Sequence, residues 1–145
     1  MNPFFKTGLF GLSLASMILA SCSSVKTIKA DYDVAPSPLE VLETNQSAFL
    51  LKNGVSVYYP KGNEMMKRNA EFLASYVKEQ TGIDLKIQEG DDADNGILLK
   101  LGLEAENPEA YKLNIKNDKI VISSPTEAGV FYGIQTLRKS VSVHE

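Results

Sequence analysis

The segment from Ser124 to Val141 constrains the fold more than any other part of this chain, because it combines an apolar helical stripe with two glycines. Apolar residues recur there at helical spacing and predict a buried stripe of Val130, Phe131, Ile134, Leu137 and Val141. Gly129 and Gly133 lie four residues apart, on one face of that helix. A glycine costs a helix about 1 kcal/mol relative to alanine, so we expect a neighbouring backbone to approach this face closely.

The start of this segment carries a capping signal. Ser124 can accept a hydrogen bond from the amide of Glu127, while the Glu127 side chain reaches back towards Ser124. Pro125 would then occupy the first helical position, where its missing amide hydrogen does no harm. We therefore predict that Ser124 caps the closing helix.

The first 22 residues are typical of an export signal. Lys6 supplies the positive charge, and the apolar stretch 9–20 is shorter than the ~20 residues that span a bilayer as a helix. Residues 19–22, Leu-Ala-Ser-Cys, resemble a bacterial lipobox. We expect residues 1–21 to be a lipoprotein signal peptide and Cys22, the only cysteine, to carry the lipid. An ordinary secretory signal with a chance cysteine is the alternative.

The remaining sequence predicts a tether and one domain. Residues 22–34 are polar and lack apolar periodicity, so we expect a lipidated tether before a domain at residues 35–145. The protein would be exported and lipid-anchored to the bacterial cell envelope, on the periplasmic or surface side of a membrane. The 145 residues suit one globular domain and are too few for a barrel of ~250 residues. A net charge of -3 gives no basic footprint, so we expect no nucleic-acid partner.

The dipeptide Asn53-Gly54 predicts a tight turn. It lies between two short apolar runs, at residues 49–52 and 55–59, and such a dipeptide is a strong hairpin signal. The two-residue period of a strand places one set of side chains of the second run on a common face, namely Val55, Val57 and Tyr59.

A helix is predicted from Glu64 to Gln80. Asn63 can cap its start, and Gly82 can adopt the left-handed conformation at its end. The predicted stripe contains Met66, Ala70, Leu73 and Val77, widened by Met65, Phe72 and Tyr76. We interpret this stripe as core packing, with a ligand groove as the alternative.

Four further strands are predicted, at 84–88, 97–101, 111–115 and 119–123. Only three residues, 116–118, separate the last two, which should form a tight hairpin. The leucine-rich run at 97–101 predicts a central, buried strand. The elements together predict an α/β (α+β) fold, a two-layer sandwich with a mixed β-sheet and two main helices packed on one face. The opposite sheet face would be polar, or covered by another domain.

A family resemblance lies in the closing segment. Residues 129–137, Gly-Val-Phe-Tyr-Gly-Ile-Gln-Thr-Leu, resemble the end of the small N-terminal domain of family 20 glycoside hydrolases, the β-N-acetylhexosaminidases. Residues 108–113 are a weaker match, and the resemblance extends over residues 36–139. It implies a two-layer α/β domain beside a catalytic barrel that begins shortly afterwards. This sequence ends at Glu145, with no catalytic barrel in this chain.

The resemblance carries over no catalytic residue. In this family an adjacent Asp-Glu pair in the barrel supplies the general acid and steadies the 2-acetamido group of the substrate. No Asp-Glu dipeptide occurs here, so we predict no catalytic residue and expect the chain alone to be inactive. No cofactor is predicted either, since no glycine-rich loop precedes a helix.

Other candidate sites are weak. The acidic run 91–96 could be read as a calcium loop, but Ala93 and Gly102 stand where ligands belong, so we interpret it as a solvated loop. His144 is the only histidine, so neither a histidine zinc site nor a triad is predicted, and no metal is expected. Three tyrosines could stack on sugars but are interpreted as core residues: Tyr58, Tyr59 and Tyr132.

Two functional hypotheses follow. The first is an accessory N-terminal domain of a lipid-anchored β-N-acetylhexosaminidase, present here as a truncated gene or a fragment. Its barrel partner, normally in the same chain, would hydrolyse terminal N-acetylhexosamine residues in glycans. The second is a stand-alone surface lipoprotein that binds glycan or a partner protein through the sheet face that a barrel would otherwise cover.

Overall fold

The structure, a computed structural model, describes residues 38–42 and 48–141. The expected signal peptide, Cys22, the start of the domain at residue 35 and His144 lie outside the described residues, so the expected domain boundaries stay predictions. The elements within the described residues are β1 (Ser56–Tyr59), α1 (Glu64–Thr81), β2 (Lys86–Glu89), β3 (Gly96–Leu101), β4 (Lys112–Ile115), β5 (Lys119–Ser124) and α2 (Glu127–Val141). None of the helices described is long and apolar enough to cross a membrane.

The strands form one mixed sheet in the order β2-β1-β3-β5-β4. Neighbouring strands are parallel except for β4, which runs antiparallel to β5 at the edge. The predicted hairpin between the last two strands is therefore confirmed, and the leucine-rich β3 is the central strand as expected. The connection between β3 and β4, residues 102–111, passes beyond β5 to reach the edge.

The early hairpin prediction is wrong. A turn does form at Asn53-Gly54, with the amide of Val55 bonded to the carbonyl of Lys52 at 3.2 Å and a φ of 83° at Gly54. Residues 49–52 form no strand, because both edges of β1 pair with parallel neighbours, β2 and β3. The turn instead bonds to the segment that enters β2, through the amide and carbonyl of Asp84.

Both helices pack on one face of the sheet, as the sequence predicts. Alternate strand residues supply the sheet side of the core, and they are Val57, Tyr59, Ile97, Leu99, Ile120 and Ile122. The helices supply Met66, Ala70, Leu73, Val77, Val130, Ile134 and Leu137. All are buried, which is what the two periods of strand and helix require when one layer covers the other.

Helix α1 forms with the expected caps and a narrower buried stripe than expected. The Asn63 side chain accepts a hydrogen bond from the amide of Met66 at 3.0 Å, and Gly82 ends the helix at a φ of 74°. Met65 is 53% exposed and Phe72 36% exposed, so neither belongs to the core.

The two glycines of α2 bring that helix against its neighbours, as expected. A Cβ on Gly129 would overlap the Ser124 hydroxyl and lie 2.7 Å from the carbonyl oxygen of Ala110. A Cβ on Gly133 would lie 2.5 Å from a methyl carbon of Ile122 on β5. Helix α2 therefore rests directly on β5 and on the end of the 102–111 connection.

Helix α2 is capped, but by Thr126 and not by Ser124 as the sequence predicted. The helix begins at Glu127, and Thr126 is the cap, since its hydroxyl accepts from the amide of Gly129 at 3.2 Å. Ser124 belongs to β5 and uses its hydroxyl to donate to the carbonyl of Ala110 at 2.7 Å. The β5 ladder with β3 extends through Ser124, which leaves it no freedom to start a helix.

The starts of the two helices are joined by one side-chain amide. Asn63 caps α1 with its oxygen and donates from its nitrogen to the Glu127 carboxylate at 2.9 Å. Asn69 of α1 donates to the backbone carbonyl of Glu127 at 3.0 Å. Near the other end, the Tyr76 hydroxyl donates to the carbonyl of Arg138 at 3.5 Å. The helices therefore run parallel with their N-termini side by side.

Gly129→Ala should destabilise the domain, although alanine is the better helix former. The added methyl group has no space beside Ser124 and Ala110, so we expect the free energy of unfolding to fall by about 1–3 kcal/mol in urea denaturation. Ala128→Gly, at the exposed neighbouring position, is the control and should cost only about 1 kcal/mol. A Gly129→Ala protein as stable as the parent would contradict the close packing.

The Glu127 carboxylate should make the stability depend on acid pH. The hydrogen bond from Asn63 is the main cause that lowers the pKa of Glu127, followed by that carboxylate's bond with its own backbone amide. A lowered pKa means that the stabilisation is full above the ordinary glutamate range and is lost as the pH falls through the lowered pKa. The parent should therefore be more stable than Glu127→Gln at neutral pH, and the difference should shrink as the pH falls below the ordinary glutamate range and through the lowered pKa of Glu127. A pH-independent difference between the two unfolding curves would refute this role.

Candidate interface surfaces

The acidic loop between β2 and β3 is held by protein groups. One oxygen of Asp92 accepts from the amide of Ala93 at 2.8 Å and from the Lys119 ammonium at 3.3 Å. The Ala93 amide, and then Lys119, lower the pKa of Asp92. Across the described residues, no three or more His, Cys, Asp or Glu side chains gather where they could hold a metal ion.

The outer side of the two helices carries an exposed aromatic cluster, here called the helical surface and defined by Phe72, Tyr76, Phe131 and Arg138. The rings of Phe72 and Phe131 join α1 to α2 with their centroids 5.3 Å apart. The Arg138 guanidinium lies 4.0 Å from the centroid of Tyr76 and 5.0 Å from that of Phe72. Its orientation is fixed by a 2.6 Å hydrogen bond to Gln135.

The helical surface is composed of residue types that are enriched in protein interfaces. Phe72 and Phe131 are each 36% exposed although they pack against each other, and Met65 is exposed on the same side of α1. Aromatic residues, methionine and arginine are enriched at the centres of interfaces, and a stacked cation is strengthened when water is removed. The sequence analysis assigned Phe72 and Phe131 to the core. Their seven-residue spacing from Met65 and Arg138 is the signal that marks a second, outer stripe.

The other surface is the open face of the sheet, on the side without helices. The strand register places Tyr58, Leu98, Val121 and Asn114 in one row across β1, β3, β5 and β4. Leu98 is only 2% exposed although it faces away from the helices. Something other than a helix therefore covers part of this face.

The acidic loop supplies that cover. Strands β2 and β3 are parallel with β1 between them, so residues 90–95 must return across β1 to the opposite end of the sheet. Gly90 and Gly96 both approach the Tyr58 ring, since a Cβ on either would lie 3.2 or 3.3 Å from it. Asp92 then reaches Lys119 on β5. The loop lies over the β1 half of the open face and covers Tyr58.

The three tyrosines considered for sugar stacking have different surroundings. The acidic loop covers Tyr58, and Tyr59 faces the helices with its hydroxyl 3.4 Å from Glu89. Burial, followed by the charge of Glu89, raises the pKa of Tyr59. Tyr132 is half-buried with its ring edge towards Phe131.

The β3-β5-β4 half of the open face is rich in lysine. We define the lysine face by Lys100, Lys112, Lys116 and Lys119, which strand alternation places on the side away from the helices. The first three side chains are exposed, and Lys119 is partly covered by Asp92. A shallow depression between them is lined by Asn114, Lys116, Lys119 and Val121. Lys112 begins β4 and Lys116 follows its end, an even number of residues apart, and this spacing was the available sequence signal.

Comparison with sequence families gives one match. Residues 31–145 match the family described as glycosyl hydrolase family 20, domain 2. Among proteins with curated descriptions, none matches the chain significantly.

Several solved structures contain a similar fold. The GH20 β-N-acetylhexosaminidase of Streptomyces coelicolor A3(2) is 26% identical over 71% of this chain and 20% of its own, with a TM-score of 0.62. The N-acetyl-β-hexosaminidase of Streptomyces plicatus is 24% identical over 73% of this chain and 21% of its own, with a TM-score of 0.64. A GH20 exo-β-N-acetylglucosaminidase of Vibrio harveyi is 16% identical over 81% of this chain and 17% of its own, with a TM-score of 0.57. This chain spans about a fifth of the length of these solved relatives.

Proposed function

The chain belongs to glycosyl hydrolase family 20, domain 2, and from that membership we propose that it is the accessory N-terminal domain of a β-N-acetylhexosaminidase. A catalytic barrel in the same polypeptide would hydrolyse terminal N-acetylhexosamine residues of glycans. The family match carries this proposal. The solved relatives support it, because four-fifths of their length has no counterpart in these residues.

The helical surface is the side that we propose contacts the barrel. Its exposed aromatic side chains, Phe72 and Phe131, would lose their remaining contact with water there. Burial of a whole phenylalanine side chain stabilises by about 1.5–3 kcal/mol, so burial of the exposed third of each ring would contribute about 0.5–1 kcal/mol. The open sheet face offers lysines and a polar loop instead. We therefore propose docking through the helices instead of through the sheet face, which the sequence analysis considered as the side covered by a barrel.

The polypeptide that carries these residues in the cell provides the test of the function. An antibody against residues 48–141 should capture a protein several times larger than 15.9 kDa that releases the chromophore from a chromogenic N-acetylglucosaminide. The 145-residue chain alone should show no turnover, because its sequence contains no Asp-Glu dipeptide like the catalytic pair of this family. A captured protein of 15.9 kDa without activity, or turnover by the chain alone, would each overturn the proposal.

Docking through the helices predicts a selective loss of stability. In the captured enzyme, the double change Phe72→Ser and Phe131→Ser should lower the midpoint of thermal unfolding by a few degrees more than in the 145-residue chain, since about 1–2 kcal/mol of apolar contact with the barrel is lost. In the 145-residue chain, where both rings are already partly in water, the change should be smaller. Leu50→Ser, at an exposed apolar position outside the helices, is the control. Equal losses in both proteins would count against docking through this surface.

We further propose that the enzyme is held in the bacterial cell envelope by a lipid on Cys22. The supporting observation is the lipobox-like run at residues 19–22 after a short apolar stretch. Cells grown with labelled palmitate should incorporate the label into the parent and lose it with Cys22→Ser, because Cys22 is the cysteine of the lipobox-like run. Ser21→Ala keeps a small residue before the cysteine and should retain the label. Incorporation into the Cys22→Ser protein would refute the anchor.

A further inference from the structure

The lysine face concentrates positive charge in a chain whose net charge is -3. Its strands carry no Asp or Glu side chain among the residues that point away from the helices, and its non-lysine positions are Gly96, Leu98, Val121, Ser123 and Asn114. The acidic loop contributes the nearest carboxylate, from Asp92. The sheet thus separates positive charge from the acidic residues found elsewhere in the chain.

The strand register fixes the spacing of the four ammonium groups. Lys100 and Lys112 flank Ser123 on its two neighbouring strands, so their Cα atoms are about 10 Å apart. Lys116 and Lys119 lie opposite each other across the β4–β5 turn, where the Lys116 amide donates to the Lys119 carbonyl at 2.9 Å. This second pair lies four residues, about 13 Å, along the strands from the first. The four lysines therefore mark the corners of a flat area.

This arrangement is unfavourable for the domain by itself. Like charges directly opposite each other on neighbouring strands destabilise a sheet. Asp92 forms an ion pair with Lys119 in which the carboxylate is 90% exposed, and its charge also interacts with that of Lys100. Within the described residues, Lys100, Lys112 and Lys116 form no ion pair. An uncompensated group of charges on a rigid sheet is typical of a surface that receives an oppositely charged ligand.

We propose that the lysine face binds an anionic polysaccharide, a glycan chain that bears carboxylate or sulfate groups. This inference rests on the proposed function and names the class of glycan that the enzyme would process. A linear polymer can lie along the strands and meet both lysine pairs, while Asn114 and Ser123 between them offer hydrogen bonds to sugar hydroxyls. Lysine recognises such groups as a point charge, so no single fixed geometry is required.

An anionic membrane fits this face less well. Proteins that bind membrane surfaces combine basic residues with apolar side chains that enter the interface. The apolar residues here are Leu98, which is 2% exposed, and Val121, which is half-buried between lysines. The face can therefore attract negative charge without offering apolar area for insertion.

Asp92 competes with the ligand for Lys119. The two groups are 3.3 Å apart, and the Asp92 side chain is almost fully in water, so a bound sulfate or carboxylate can displace it. Asp92→Asn keeps the oxygen that accepts from Ala93 but removes the charge. The proposal therefore predicts that this substitution strengthens binding.

The test measures binding and needs no hydrolysis, so its failure is distinct from failure of the proposed function. All seven elements and the core lie within residues 48–141, which justifies use of the chain from Ser23 onward, free of lipid. The probe is a fluorescent heparin hexasaccharide, and its affinity is measured at low and at physiological salt. A neutral hexamer of N-acetylglucosamine and vesicles that contain one quarter phosphatidylglycerol are the comparison ligands.

Heparin hexasaccharide should bind in a salt-dependent manner, while the neutral hexamer binds at least tenfold more weakly. The double change Lys112→Gln and Lys116→Gln should weaken binding about thirtyfold, which is the fold-change for about 1 kcal/mol lost at each of two lysines near an anionic surface. Asp92→Asn should strengthen binding. Lys61→Gln with Lys139→Gln, both exposed outside this face, is the matched control and should change little. The inference would be overturned if the control double change weakened binding as much as the Lys112 and Lys116 change, or if Asp92→Asn gave no gain in affinity. Tighter binding to the vesicles than to the hexasaccharide would also overturn it.

Discussion

The contact between α2 and the sheet determines the rest of this structure. Gly129 and Gly133 let the helix backbone rest against Ala110 and Ile122 at distances that no side chain would allow. Because the helix packs so closely on β5, the connection 102–111 can pass beside the first turn of the helix before the chain enters β4 at the sheet edge. Thr126 then closes the helix start against that connection, since its hydroxyl donates to the carbonyl of Pro108 at 2.6 Å.

The same contact makes the two sides of the domain unequal. With its glycine face against β5, α2 presents Phe131 and Arg138 on its outer side, where they meet Phe72 and Tyr76 of α1. The parallel alignment of the helices, held by Asn63 and Asn69 at Glu127, brings these residues into one cluster. The domain therefore has an aromatic side suited to docking and a sheet side that carries charge.

Much of this fold could be predicted from the sequence because its signals are local. Asn63 and Gly82 bound α1 as expected, and the glycines of α2 do mark a close approach. Where prediction failed, the deciding interaction was distant in sequence. Asn53-Gly54 does form a turn, but the turn is hydrogen-bonded to Asp84, and no local sequence pattern predicts that contact.

The surfaces were harder to predict than the elements. Phe72 and Phe131 are aromatic residues of the kind usually found in a core. Only the packing of one helix against the other shows that they lie outside the core. The lysine face depends on the parallel register of β3 with β5, which brings Lys100 beside Ser123, 23 positions further along the chain. The family match places the chain in glycosyl hydrolase family 20, domain 2, but it does not identify these two surfaces.

The central claim is that the helices dock and the sheet stays open. Covalent footprinting tests it directly, by comparing side-chain modification in the enzyme captured from cells with that in the 145-residue chain. The account predicts that Phe72 and Phe131 become protected from hydroxyl radicals in the enzyme, while Lys100, Lys112 and Lys116 remain equally open to acetylation. Protection of the lysines, with the two phenylalanines unchanged, would contradict it.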